Sequence, residues 1–245
     1  MRPVEKKNVG DTILLADNKT QHCIKAIYNP YQAAKPALTA NLGHYCSYCE
    51  VSIIRERDLA VEHVQPKSKQ SDIEYSWDNF LLGCSTCNGR DNKGTKTVDI
   101  TRCHFPDKNN TFKSFIYRTG GVIEVNPTLT GVSHGNAEAL YKLVGFDKTP
   151  ITSSPSDNRW KTRLEDWNLA MKYKKKYEDG KCDTETIIDL VTARGGWSIW
   201  FTVFRGNDEV RKAMIEEFPG TSATCFDASN HYEPLDRNPG QNDPV

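Results

Sequence analysis

The sequence is short of three things, and each shortage narrows the reading. It has no long apolar run: no stretch approaches the roughly 18–20 residues that a membrane-spanning helix needs. It has no excess charge, since Lys+Arg and Asp+Glu both number 32. A protein that holds nucleic acid by bulk charge is usually basic. Neutrality therefore points to a local basic groove, to help from a partner, or away from nucleic acid altogether. It also has no internal repeat and no low-complexity segment. The opening residues, Met1-Arg2-Pro3-Val4-Glu5-Lys6-Lys7, lack the apolar centre of a signal peptide, so the expectation is a cytoplasmic protein with no membrane association.

What is present is ordinary for a globular chain. The 245 residues, 37% hydrophobic and 26% charged, allow one large domain or two small ones. Of the 8 cysteines, four stand in two pairs, Cys46-Ser47-Tyr48-Cys49 and Cys84-Ser85-Thr86-Cys87. The others, Cys23, Cys103, Cys182 and Cys225, are scattered and read as small packing or surface residues. In a reducing compartment paired cysteines are more often metal ligands than disulfides.

The pattern along the chain gives a coarse order of elements. Residues 1–22 are mixed and polar, suited to an irregular or short-stranded lead-in. Cys23 to Leu42, broken by Pro30 and Pro36, suggests two short helices with a kink. Arg57–Val64 and Trp77–Cys84 carry strand-like apolar centres, and Asn88–Lys93 reads as the start of a short helix stopped by Gly94. Phe112–Tyr117 and Val122–Val125, flanking Thr119-Gly120-Gly121, predict a hairpin. Helices are expected over Asn136–Val144, Asp157–Tyr177, Asp183–Thr192 (capped by Asp183) and Asn207–Glu217, with Trp197–Phe204 buried and aromatic. In Asp157–Tyr177 the apolar residues are Trp160, Leu164, Trp167, Leu169 and Met171, and the four tryptophans 160, 167, 197 and 200 read as helical core. Lys172, Lys174, Lys175 and Lys176 read as a solvated face. The tail after Asn238 is expected to be loose.

Two CxxC pairs suit one tetrahedral zinc. Each forms a knuckle that aims two sulfurs and nearby amides at the ion, and four thiolates close the shell, the mark of a structural site. A redox CxxC normally occurs once, after a strand in a thioredoxin-like pattern that is absent here. Zinc ligation alone would imply only a binding module. Between and just after the pairs, however, stand Glu62-His63-Val64-Gln65-Pro66, then Asp78-Asn79-Phe80-Leu81, then Cys87-Asn88-Gly89-Arg90-Asp91-Asn92-Lys93-Gly94.

In chain order these segments give acid-His, Asn, Cys-Asn and Lys-Gly. The pattern resembles the HNH endonucleases in their zinc-bearing form. The resemblance implies an α+β chain in which a ββα-metal core, residues 45–95, is stapled by a four-cysteine zinc and embedded in mainly helical segments. Residues 1–110 would form the nuclease half, and 111–245 a hairpin plus a helical C-terminal domain. It also implies metal-dependent hydrolysis of phosphodiesters, of DNA or of RNA. His63 is the natural base, because imidazole titrates near neutrality. Glu62 and Asn88 offer hard oxygens suited to Mg²⁺ or Mn²⁺, and by resemblance they would hold the catalytic metal. Asn79 would orient the strand or His63. The family more often has Asp where Glu62 stands. Arg90 and Lys93 read as phosphate contacts or a solvated helix face, and His44 and His104 as surface residues. None of Glu62, His63, Asn79 and Asn88 is needed for zinc, which separates this expectation from a non-catalytic zinc module.

Further along, Gly195-Gly196-Trp197-Ser198-Ile199-Trp200-Phe201-Thr202-Val203-Phe204, then Val210, Glu217-Phe218-Pro219-Gly220-Thr221 and Cys225-Phe226, together with Tyr48-Cys49-Glu50, resemble the retron- and Septu-associated HNH endonucleases of anti-phage defence. That resemblance implies a partner, an ABC-type ATPase.

Overall fold

The computed structural model describes residues 1–148, 151–152 and 157–245. Its strands form four two-stranded antiparallel ribbons, so no large sheet organises the described residues. Strands β1 (Thr12–Leu14) and β2 (Gln21–Cys23) pair across a turn in which the Asp17 carboxylate accepts the backbone N–H groups of Lys19 and Thr20. A 3-10 turn at Tyr31–Ala34 runs into helix α1 (Lys35–Leu42), so the two short helices expected over Cys23–Leu42 are confined to residues 31–42 and Cys23 belongs to β2.

Strands β3 (Leu59–His63) and β4 (Phe80–Cys84) pair in register from Leu59 opposite Cys84 to His63 opposite Phe80. Every residue of β4 is buried, as its unbroken apolar run requires. The short helix α2 (Thr111–Ser114), capped by the Asn110 side chain, leads into β5 (Phe115–Arg118) and β6 (Val122–Val125), whose turn uses positive φ at Gly120 and Gly121. Then come α3 (Gly131–Leu143), α4 (Arg159–Glu178), α5 (Thr184–Arg194), α6 (Trp197–Val203) and α7 (Asp208–Glu217). Asp183 caps α5 as expected, accepting the Thr186 N–H at 2.9 Å. Strands β7 (Phe226–Asp227) and β8 (Glu233–Pro234) form the last ribbon.

One hydrophobic cluster joins α1, the β3–β4 ribbon, the β5–β6 ribbon and helices α3 to α7. Its densest part is aromatic. Trp197 stacks on Phe201 at 4.3 Å, Phe112 and Phe226 pack edgewise or tilted against them, and the Arg211 guanidinium covers Phe201 at 4.3 Å. Among the described residues no helix is long and apolar enough to cross a membrane.

Five expectations change. Residues 85–95 are turns, not a helix. Gly89 and Gly94 carry a high helical cost, and the Asn92 side chain donates to the Thr86 carbonyl at 2.9 Å in competition with a helical ladder. The tail is anchored: Asp243 accepts from Ser133 Oγ at 2.7 Å and Asn136 Nδ2 at 2.5 Å, and the Val245 side chain is buried. His104 is fully buried rather than on the surface, bridging Ser114 Oγ (2.7 Å) and Asp243 (2.9 Å). In α4, Leu164 and Met171 are exposed, because the helix packs through a narrow stripe that includes Ala170 and Asp166. In the lysine run, Lys174 turns inward and donates to the Val203 carbonyl at 2.8 Å.

Candidate functional site

The two CxxC turns meet. Cys46, Cys49, Cys84 and Cys87 place their sulfurs all within 4.8 Å of one another, and Cys49 Sγ lies 3.7 Å from Cys84 Sγ. Sulfurs about 2.3 Å from a central zinc form a tetrahedron with edges of about 3.8 Å, so the set fits a metal ion such as zinc. The backbone supports it. The Cys87 N–H points at Cys84 Sγ at 3.3 Å, and the first knuckle is tied to β4 by Ser47 N–H donating to the Leu82 carbonyl at 2.8 Å. From α4, Arg159 donates to Cys87 Sγ at 3.3 Å while its other donors hold Asp157 and the Val144 carbonyl. Nothing in the sequence around Arg159 signalled that contact.

The β3–β4 ribbon leaves this cluster and carries the other chemistry. Its register sends Glu62 and His63 to opposite faces, since neighbours on a strand alternate. Glu62 is buried on the face that Gly83 leaves bare. A Cβ on Gly83 would lie 3.2 Å from Glu62 Cβ and 3.5 Å from Asn88 Cβ, so the missing side chain is what lets the two approach. A glycine inside an apolar strand was the available signal for that approach.

Asn88 sits one residue past the knuckle, its N–H held by the Cys84 carbonyl at 2.9 Å. Its side-chain amide has no hydrogen bond among the described residues. Glu62 Oε1 is engaged by Lys93 Nζ at 2.5 Å and by the Tyr48 hydroxyl at 3.5 Å, and Oε2 has no hydrogen bond among the described residues. Burial pushes the Glu62 carboxyl up, while the Lys93 ammonium and the Tyr48 hydroxyl draw it down. One free carboxylate oxygen beside one free amide, over a bare backbone, makes a donor set that can hold a hard divalent cation.

His63 ends β3. Its ring packs edgewise on Tyr31 (4.6 Å) and Phe80 (5.2 Å), and Nε2 lies 2.9 Å from the Glu74 carbonyl. A carbonyl only accepts, so Nε2 carries the proton in this contact and Nδ1 carries the lone pair. Burial lowers the imidazole pKa, opposed by the Glu74 carbonyl, and nearby Lys67 and Lys93 lower it further. The ring therefore favours its neutral form. Asn79 reaches His63 through the loop between the strands. Its Oδ1 accepts the Gln65 N–H at 2.7 Å, and its Nδ2 donates to the carbonyls of Gln65 (3.0 Å) and Ile73 (3.3 Å), next to the Glu74 that holds the ring.

Arg90 is exposed, as expected for a phosphate contact or a solvated face, but Lys93 is wholly buried and makes neither. The segment Tyr48-Cys49-Glu50 and the later Gly195-Gly196-Trp197-Ser198 are brought together. Glu50 accepts the Ser198 N–H at 2.9 Å and Oγ–H at 2.6 Å, and its carbonyl accepts the Gly196 N–H at 3.0 Å. A Cβ on Gly195 would lie 2.1 Å from that carbonyl, and Gly195 has φ +78°, so both space and backbone demand glycine. These residues form a joint between the first knuckle and α6. A cavity of about 470 Å³ opens beside the same joint, lined by Cys49, Ile53, Phe146, Arg159 and Arg163, and is separate from Glu62, His63 and Asn88.

Residues 46–94 match the HNH endonuclease family. That span runs from the first zinc-type cysteine to the glycine after Lys93 and contains the whole ribbon. An HNH domain suggests nuclease activity. No curated protein matches the chain.

Proposed function

We propose that the chain is a metal-dependent HNH endonuclease that hydrolyses DNA phosphodiesters, built on a ββα-metal site whose third element is a turn rather than a helix. The observation that carries the reading is His63: a buried imidazole whose Nε2–H is committed to the Glu74 carbonyl, leaving Nδ1 as a proton acceptor at the end of the ribbon. A phosphodiester lying across that end would meet His63 on one face and the Glu62–Asn88 pair on the other.

In this reading His63 takes the proton of the attacking water. Asn79 keeps the loop, and with it the Glu74 carbonyl, in place. Glu62 and Asn88 hold a hard divalent cation, Mg²⁺ or Mn²⁺, which when bound stabilises charge on the phosphate and on the leaving oxygen. Cys46, Cys49, Cys84 and Cys87 hold a structural zinc that joins the two ends of the module.

The retron- and Septu-type resemblance supports a place in anti-phage defence beside an ABC-type ATPase. Zero net charge gives the chain little long-range attraction of its own for DNA. The exposed Leu164 and Met171 on α4, with the lysines of its last turns beyond Met171, offer the partner a mixed apolar and basic surface.

The test is cleavage of plasmid DNA and of RNA by wild type and His63→Ala, in Mg²⁺ or Mn²⁺, with and without any ABC-type ATPase encoded beside it. Loss of cutting in the variant with cysteine-bound metal retained supports the assignment. Cutting by His63→Ala at the wild-type rate moves a non-catalytic zinc module ahead, and cutting of RNA alone makes the enzyme a ribonuclease. A pull-down in which the ATPase ignores the chain removes the partner.

A further inference from the structure

Lysine is almost never fully buried unless it is paired. Lys93 has no exposed surface, and its ammonium lies 2.5 Å from Glu62 Oε1 and 2.6 Å from the His63 backbone carbonyl. One cation thus grips two consecutive residues of β3 whose side chains leave opposite faces of the ribbon. Its own backbone is tied to the second knuckle, Lys93 N–H donating to the Cys87 carbonyl at 3.1 Å. The turn that carries it is tight: a Cβ on Gly94, at φ +45°, would lie 3.0 Å from the Gly89 carbonyl oxygen. The cysteine cluster therefore sets the turn, the turn sets Lys93, and Lys93 sets Glu62 and the end of β3.

The division of labour on the carboxylate gives this its meaning. Lys93 and Tyr48 both address Oε1, and Oε2 has no hydrogen bond among the described residues, while the absent Gly83 side chain lets the Glu62 and Asn88 side chains approach. We propose that Lys93 is a positioning residue, which pins Oε1 of Glu62 and the His63 carbonyl so that Glu62 Oε2 and Asn88 are presented to a divalent cation before it binds. The inference rests on the nuclease reading above and adds to it the residue that holds the metal-ligand pair and the base in one frame. A donor set fixed in advance loses less freedom on binding, which is why groups behind a ligand govern affinity. A lysine that merely occupied the cation's place would have the opposite consequence, because removing it would free the ligand and tighten metal binding.

The experiment is Mn²⁺ binding by the full zinc-loaded chain, followed by calorimetry and by electron paramagnetic resonance. Wild type, Lys93→Met, Lys93→Gln, Glu62→Ala and the double variant Glu62→Ala/Lys93→Met are compared. Expected are one zinc retained in Lys93→Met, Mn²⁺ affinity lowered on the order of 10-fold, and a double variant no weaker than Glu62→Ala alone, because Lys93 acts through Glu62. Lys93→Gln, which keeps a donor, should recover part of the loss.

Wild-type protein with ¹⁵N-labelled lysine gives a reading independent of folding in the variants. The Lys93 ammonium resonance should persist, shifted, at saturating Mg²⁺. Its release on adding Mg²⁺, or Mn²⁺ binding unchanged or tightened in a zinc-retaining Lys93 variant, overturns the positioning role while leaving the nuclease reading intact. A wild type that binds no Mn²⁺ overturns both.

Discussion

Residues 46–94 and the region from α3 onward both have buried interiors, but these are organised by different means. The first region has two five-residue strands and little else that is regular, and beside the apolar side chains of those strands its interior holds polar ones: Glu62, His63, Asn79 and Lys93 are all buried there. What orders it is a cluster of four sulfurs, one buried ion pair and side chains bonded to backbone. The second is regular helix around Trp197, Trp200, Phe201 and Phe204, with Trp197 Nε1–H donating to the Met214 carbonyl at 3.0 Å. A buried polar site must be held from outside, since each of its groups costs free energy unless partnered. An aromatic core holds itself. The helical region thus acts as the frame, joined to the site at Glu50–Ser198 and at Arg159–Cys87.

That contrast can be broken in graded ways. Cys84→Ser should have the largest effect, because it removes a metal ligand and with it the organising force of the first region. Bound structural zinc contributes roughly 10–16 kcal/mol of apparent free energy in small zinc domains. Expected are loss of zinc by elemental analysis and loss of the cooperative melt. A folded, zinc-loaded Cys84→Ser would show that the first region, too, holds itself.

Trp197→Ala should cost about 3–5 kcal/mol by denaturant titration, in line with truncation of a large buried aromatic, and leave the metal stoichiometry unchanged. His63→Ala is its mirror image. Cleavage should fall by roughly 10²–10⁴, with the melting transition and zinc content kept. If Trp197→Ala loses zinc at temperatures where it is still folded, the division between frame and site is wrong.

Much of the chemistry was legible, because ligand chemistry is written in residue type and spacing. The cysteine pairs and the ribbon between them come from short motifs that need no long-range packing to be recognised. The helices after Gly131 were legible for a different reason, their apolar period and the Asp183 cap. What escaped depends on contacts far apart in the chain. Lys93 looks like any surface lysine until the ribbon folds over it, and the Arg159–Cys87 contact spans 72 positions. His104 and Asp243 lie 139 positions apart, so neither the buried histidine nor the anchored tail had a local signal. The turn over 85–95 escaped because the rule for a helix stop was satisfied by Gly94 while Asn92 spent its side chain on the Thr86 carbonyl.

Two smaller effects sharpen the comparison at the joint between the regions. Ser198→Ala removes the Oγ–H bond to the Glu50 carboxylate and keeps the one from the backbone N–H. It should cost about 1–3 kcal/mol, the range for a buried acceptor deprived of a donor, read as a shift in denaturant midpoint. The smallest effect concerns pH. Burial raises Asp166 from 3.8 to about 6, against the Arg194 guanidinium that pulls it down from 2.6 Å. A carboxyl raised on folding contributes stability that is fully present below its unfolded value and is lost as pH climbs through the folded one. The stability contributed by Asp166 should therefore decline between about pH 4 and pH 6, with a slope from this group of at most ~1.4 kcal/mol per pH unit. Thermal melts of Asp166→Asn should show a flatter profile across that window, and an identical slope would remove Asp166 as its source.

Arg159 has one further consequence. Its guanidinium holds a sulfur with one donor and grips Asp157 and the turn at Val144–Gly145 with the others. In mechanical terms the second knuckle is moored to the first turn of α4, and the mooring line ends on a ligand atom. Undocking α4 is therefore expected to loosen any metal held by the four cysteines, since Arg159 bonds directly to the Cys87 sulfur.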